Sequence, residues 1–120
     1  MKVDEEVRRQ LIENLKIWLK RLNRIVKSLV KDMEEAETVE EIMALKRELL
    51  LRYICLIPIS ASYCYFCIKH DLECNKCEYA KHHGICTYAE SDYAKIIDKA
   101  KELELTVAEL YYKGEKYGED

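Results

Sequence analysis

Gly and Pro, the strongest turn formers, are scarce in this chain of 120 residues: three Gly and one Pro. A β-sandwich or barrel needs many tight turns, so that scarcity argues against those folds. Leu, Ile, Glu, Lys and Arg fill the sequence instead, and these residues lose little side-chain freedom in a helix. The predicted fold is all-α: a small helical bundle of two long antiparallel helices and shorter C-terminal helices, with a cysteine-rich metal-binding loop. At this length the chain suits a single helical domain, residues 1–120, with the cysteine segment 64–86 inserted between the second and the later helices.

Hydrophobic spacing places the helices. Leu11, Leu15, Trp18, Leu22, Ile25 and Leu29 recur at steps of three and four, with Ile12, Leu19, Val26 and Met33 as a neighbouring row. Together they form a broad apolar stripe, predicting a first helix from about Asp4 to Met33. The stretch from Asp32 to Glu37 reads as the turn. Thr38 and Glu41 then match the capping box that opens a helix, and Ile42, Leu45, Leu49, Tyr53 and Leu56 carry its period to Ile57. There Pro58 removes a donor and crowds the preceding turn. Helix is expected to resume from Ser60 to His70, with one further turn from Glu78 to His83 stopped by Gly84. Ser91 caps a later helix on Tyr93, Ile96, Ile97, Ala100 and Leu103, and Thr106 with Glu109 reads as a second capping box opening a last helix closed by Gly114.

The net charge of -3 predicts no general attraction to nucleic acid or to anionic lipid. The charge is uneven. Residues 1–30 hold eight Lys or Arg against four acids, and the last thirty hold five against eight. Val3-Asp4-Glu5-Glu6-Val7 does not read as a signal peptide. The longest uncharged run, Tyr53 to Ile68, contains Pro58 and is too short and polar for a membrane span. The expected location is therefore cytoplasmic, a reducing compartment in which clustered cysteines point to metal before disulfides. The Glu/Lys-rich, glutamine-poor balance suits a heat-adapted source, and heat-adapted intracellular proteins are the case in which disulfides compete.

The chemistry lies in Cys64-Tyr-Phe-Cys67, six residues, Cys74-Asn-Lys-Cys77, eight residues, and Cys86. A C-x-x-C pair lets both thiolates reach one ion, and two pairs complete a tetrahedral shell with Zn–S distances of about 2.3 Å. The predicted ligands are Cys64, Cys67, Cys74 and Cys77 around Zn2+, with Cys86, His70, His82 and His83 as alternative donors. A gap of six residues between pairs is shorter than the roughly 15–20 of zinc ribbons. Five cysteines also suit a [4Fe–4S] cluster, and two disulfides are the metal-free reading. Cys55, in an apolar run, reads as a small buried hydrophobe. This arrangement resembles the cysteine clusters of small proteins of archaea and of their viruses or phages, in which paired C-x-x-C motifs precede a lone cysteine. The likeness covers Cys64 to Cys86 and implies metal binding, with no particular activity.

His82-His83 most simply ends a helix, where the dipole favours a cation. No strand precedes Cys64 to support a thioredoxin-like dithiol, and no phosphate loop, nucleophile elbow or paired-carboxylate signature occurs. Lys16, Lys20, Arg24, Lys27 and Lys31 share a face of the first helix, a solvated stripe or a phosphate-binding one. Residues 92–113 echo a helix-turn-helix, against which stand its acids. Tyr63, Tyr65 and Tyr79 flank the cysteines and are expected to shield them. The resulting expectation is a non-enzymatic, zinc-binding helical interaction module that docks a protein partner or self-associates as a homodimer, without a membrane role or an evident small-molecule substrate. The alternatives are a nucleic-acid-binding regulator and an iron–sulfur protein.

Overall fold

The computed structural model describes residues 1–118 except Leu72 and Thr87, and for Cys74 it describes the backbone alone. The structure is all-helical, 73% helix, with no strand among the described residues. The α-helices are α1 (Glu5–Glu35), α2 (Val39–Leu56), α3 (Tyr65–Lys69), α4 (Glu78–His83) and α5 (Asp92–Leu110), with short 3-10 turns at Ala61–Tyr63 and Cys74–Lys76. Contacts divide the chain into two compact units, residues 1–19 with 58–100 and residues 20–57 with 101–120.

Local chemistry explains where the long helices begin. Asp4 Oδ1 accepts from the amides of Glu6 and Val7 at 3.0 and 3.3 Å, which satisfies two of the donors that open α1. At α2 the Thr38 hydroxyl oxygen accepts from the Glu41 amide at 3.2 Å. The Glu41 carboxylate accepts from the Glu37 amide at 2.9 Å, one residue earlier than the standard box has it. Val7 and Leu29 are buried, and the row Ile12, Leu19 and Val26 is at least 40% exposed. The apolar stripe of α1 is therefore wider than what its own chain covers.

In the unit of residues 20–57 and 101–120, α1 and α2 are joined by three residues. Asp32 and Glu35 line a groove with Glu41, Ala44, Leu45 and Glu48. Arg21 and Ile25 line another with Leu51, Arg52, Cys55 and Leu56. Residues further along α2 thus meet residues earlier along α1. Arg47 of α2 donates from Nε to the Tyr111 carbonyl at 3.1 Å and from a terminal nitrogen to the Ala108 carbonyl at 2.9 Å. Since α5 has no basic residue in its own last turn, this guanidinium supplies the donors and the charge that its carbonyl end requires.

The other unit is built from shorter pieces. Asn14 Nδ2 donates to the Ser62 carbonyl at 2.8 Å, and the Asp4 amide donates to the Tyr65 hydroxyl oxygen at 2.8 Å. These two bonds fix the segment after Pro58 to the start of α1. The expected helix from Ser60 to His70 is interrupted, since Cys64 sits in extended backbone (φ -105°, ψ 120°) between the 3-10 turn and α3.

The C-terminal reading needs correction. α5 runs unbroken from Asp92 to Leu110, so residues 92–113 are not a helix-turn-helix. Thr106 caps nothing: its hydroxyl donates to the Glu102 carbonyl at 2.8 Å, a bond Thr makes inside a helix. The expected cap at Ser91 is present, with its Oγ accepting from the Ala94 amide and donating to the Cys86 carbonyl, both at 3.1 Å. Ser91 is the most deeply buried of the described residues. Ser91→Ala removes a cap and orphans a carbonyl, at an expected cost of about 1–2 kcal/mol. Chemical denaturation should show a lower midpoint with an unchanged slope.

Candidate metal centre

The cysteines reach one region by separate local devices. Cys64 is the joint between the 3-10 turn and α3, and Cys67 lies one helical turn later on α3. Cys77 is the residue before α4, in extended backbone (φ -76°, ψ 121°), and is buried. Cys86 follows Gly84, which ends α4 at φ 82°. Two tight turns then lead on, Tyr88 N to Ile85 O at 2.8 Å and Ser91 N to Tyr88 O at 3.0 Å.

These devices gather Cys64, Cys67, Cys77 and Cys86. Burial pushes the Cys67 thiol up to about 12, helped by a hydrogen bond with Cys64 and by the nearness of Cys64, Cys86 and Cys77. A thiolate at Cys67 would face desolvation and the nearness of three other thiols, and both favour the neutral form. Cys67, Cys77 and Cys86 also line one cavity of about 10 Å³, with Phe66, His70, Glu73 and Ala80 completing the wall. That is room for about one water-sized sphere. Among the described residues no three His, Cys, Asp or Glu side chains are close enough together to hold an ion as they stand.

Of the expected ligands, Cys64, Cys67 and Cys77 are thus brought together, and the Cys74 side chain lies outside the described residues. Cys86, expected only as an alternative, joins them. The sequence signal for it was Gly84 followed seven residues later by the cap Ser91, which together set where the loop returns. Cys64, Cys67 and Cys77 carry free thiols. Cys55, expected as buried, is exposed at the groove of α1 and α2.

Two of the three histidines pair with carboxylates, and His70 also lines the small cavity. His70 Nε2 shares a short hydrogen bond with the Glu78 carboxylate, which also lies 3.6 Å from Lys69 Nζ. That bond holds the Glu78 carboxyl below the usual carboxylate range. His83 Nδ1 pairs with Asp92 Oδ2 at 2.9 Å, and its ring stacks on Tyr79 with centroids 4.2 Å apart. The Tyr79 hydroxyl donates to Asp92, which lowers the Asp92 carboxyl and raises the phenol to about 12. His82 is exposed in the last turn of α4.

On α1 the basic row of Lys16, Lys20, Arg24, Lys27 and Lys31 is exposed throughout. No helix among the described residues is long and apolar enough to cross a membrane. No family model, no curated protein and no solved structure matches the chain.

Proposed function

We propose that this protein is a non-enzymatic, zinc-stapled helical interaction module. The observation that carries the reading is the gathering of Cys64, Cys67, Cys77 and Cys86 from three separate stretches of chain. Zinc prefers such a soft, four-thiolate set and closes it tetrahedrally with no position left open for a substrate. Cys86 takes the fourth position in this proposal because it shares a cavity with Cys67 and Cys77. Metal analysis of untagged protein is the test, with one zinc per chain expected. A brown protein with iron and sulfide would favour the cluster reading instead.

The interaction surface is proposed from two apolar rows, each on one continuous helix. Ile12, Leu19 and Val26 of α1 and Ile96, Leu103 and Leu110 of α5 repeat at seven-residue steps, and the α5 row is at least 49% exposed. Seven-residue repeats are the spacing by which helices pair side by side. On α1 each of Leu19 and Val26 is followed by a lysine, Lys20 and Lys27. On α5 each of Leu103 and Leu110 is preceded by a glutamate, Glu102 and Glu109. Pairing α1 of one copy with α5 of another joins opposite charges, whereas pairing α1 with α1 sets lysine against lysine. A homodimer is therefore proposed. Light scattering across a dilution series should show dissociation, and Leu19→Glu or Leu103→Glu should leave a folded monomer. A wild-type monomer at every concentration would reject it.

A further inference from the structure

We infer that the cavity between α3, α4 and α5 in the unit of residues 1–19 and 58–100 is a binding site for one uncharged, ring-containing apolar molecule. The cavity measures about 670 Å³, within the roughly 300–1,000 Å³ of small-molecule sites. Its wall is drawn from residues 59–67, 79, 86 and 93–96, so it encloses a guest on several sides. A single helix face could not do that.

The lining sets the chemistry of the guest. Tyr63, Tyr65, Phe66, Tyr79 and Tyr93 supply five rings, and none of the residues lining it among those described is Asp, Glu, Lys, Arg or His. A charged group placed there would lose its water and find no counter-ion. The rings face in different directions: Tyr65 meets Phe66 edge-on at 5.4 Å, and Phe66 lies 6.3 Å from Tyr79 with planes 31° apart. Such walls favour a flat guest that meets one ring face-on and another at its edge. Two of the hydroxyls are tied to the protein itself, Tyr65 to the Asp4 amide and Tyr79 to Asp92, which leaves ring surface for the guest and holds the walls in place. Ala61 is the smallest residue of the lining, and Cys64, Cys67 and Cys86 contribute soft, polarisable sulfur.

The site shares three cysteines with the proposed metal centre, and its test is independent of that reading when metal content is measured in the same samples. The neutral fluorophore N-phenyl-1-naphthylamine is titrated into the full chain as purified. Saturable enhancement at one probe per chain is expected, and an anionic sulfonate analogue should bind at least about tenfold more weakly, a 1.4 kcal/mol difference. Ala61→Leu and Ile59→Trp, which fill the cavity, should weaken the probe by a similar factor with helix content unchanged. Val39→Glu, exposed in the other unit and outside both the cavity and the proposed helix pairing, should have no effect. In unmutated protein labelled at alanine methyls, nuclear Overhauser contacts should join the probe to Ala61, and this measurement stands should the filled variants fail to fold. Absence of saturable binding, equal binding of the sulfonate, probe contacts that avoid Ala61, or loss of binding in Val39→Glu would each overturn the inference. Probe failure with zinc retained leaves the metal reading intact, and zinc absent with the probe bound leaves the cavity.

Discussion

If the proposed zinc is bound, stripping it with a chelator is expected to unfold the unit formed by residues 1–19 and 58–100. Structural zinc in small modules contributes about 10–16 kcal/mol, against a total stability of about 5–15 kcal/mol for an ordinary domain. The unit has little else to hold it: Val7, Cys77 and Ser91 are its buried residues among those described. Single substitutions Cys64→Ser, Cys67→Ser, Cys77→Ser or Cys86→Ser should each lose the metal and most of the cooperative melt. Cys55→Ser should keep both, since Cys55 lies exposed in the other unit. Circular dichroism melts and metal content, with and without chelator, are the measurements. A melting curve indifferent to chelation would sink the zinc reading. Full metal retention in Cys86→Ser would move the fourth ligand to Cys74.

How much of this was legible beforehand depended on whether a signal was periodic or positional. The stripe from Leu11 to Leu29 and the Thr38 cap fixed α1 and α2, because both rest on spacing that one helix satisfies by itself. The capping pattern at Thr106 misled for the same reason. Thr-x-x-Glu is also a sequence that an uninterrupted helix accepts, provided the hydroxyl turns back to the carbonyl four residues earlier, as it does to Glu102. No Gly or Pro between Ser91 and Leu110 forced a break. The far end of α5 was misplaced too: Tyr112, at φ 32°, turns the chain before Gly114 does.

The candidate site was legible in its ingredients and only partly in its membership. Paired C-x-x-C motifs drew attention to Cys74, but no spacing rule ties a cysteine nine residues past Cys77 to the same centre. What brings Cys86 back is tertiary, namely the positive φ of Gly84, the turns through Tyr88 and the buried Ser91 bonded to the Cys86 carbonyl. The histidines show the converse. In the sequence they are only substitute donors, and the structure pairs His70 with Glu78 and His83 with Asp92.

Gly84→Ala is the substitution expected to separate that tertiary device from the cysteines themselves. Gly84 has φ 82° and ψ 159°, a region open essentially to glycine, where another residue costs about 1–3 kcal/mol. An added Cβ would also lie 3.3 Å from Ser91 Cα and 3.4 Å from its Cβ, against buried backbone that has little room to move. Overpacking of that kind adds about 1–3 kcal/mol, so a total of about 2–6 kcal/mol is expected, or a melting temperature roughly 10–30 °C lower. Because Gly84 is two residues from Cys86, the same change should weaken zinc binding with all six cysteines present. Gly114→Ala makes the control. Its φ of 86° carries similar strain, yet nothing lies within 4 Å of the new Cβ, so its cost should stay near the lower end and zinc affinity should not move. Equal effects at the two glycines would show that backbone strain alone acts at Gly84. A Gly84→Ala protein with wild-type melting and zinc affinity would show that the loop does not depend on this turn to return Cys86 to the other thiols.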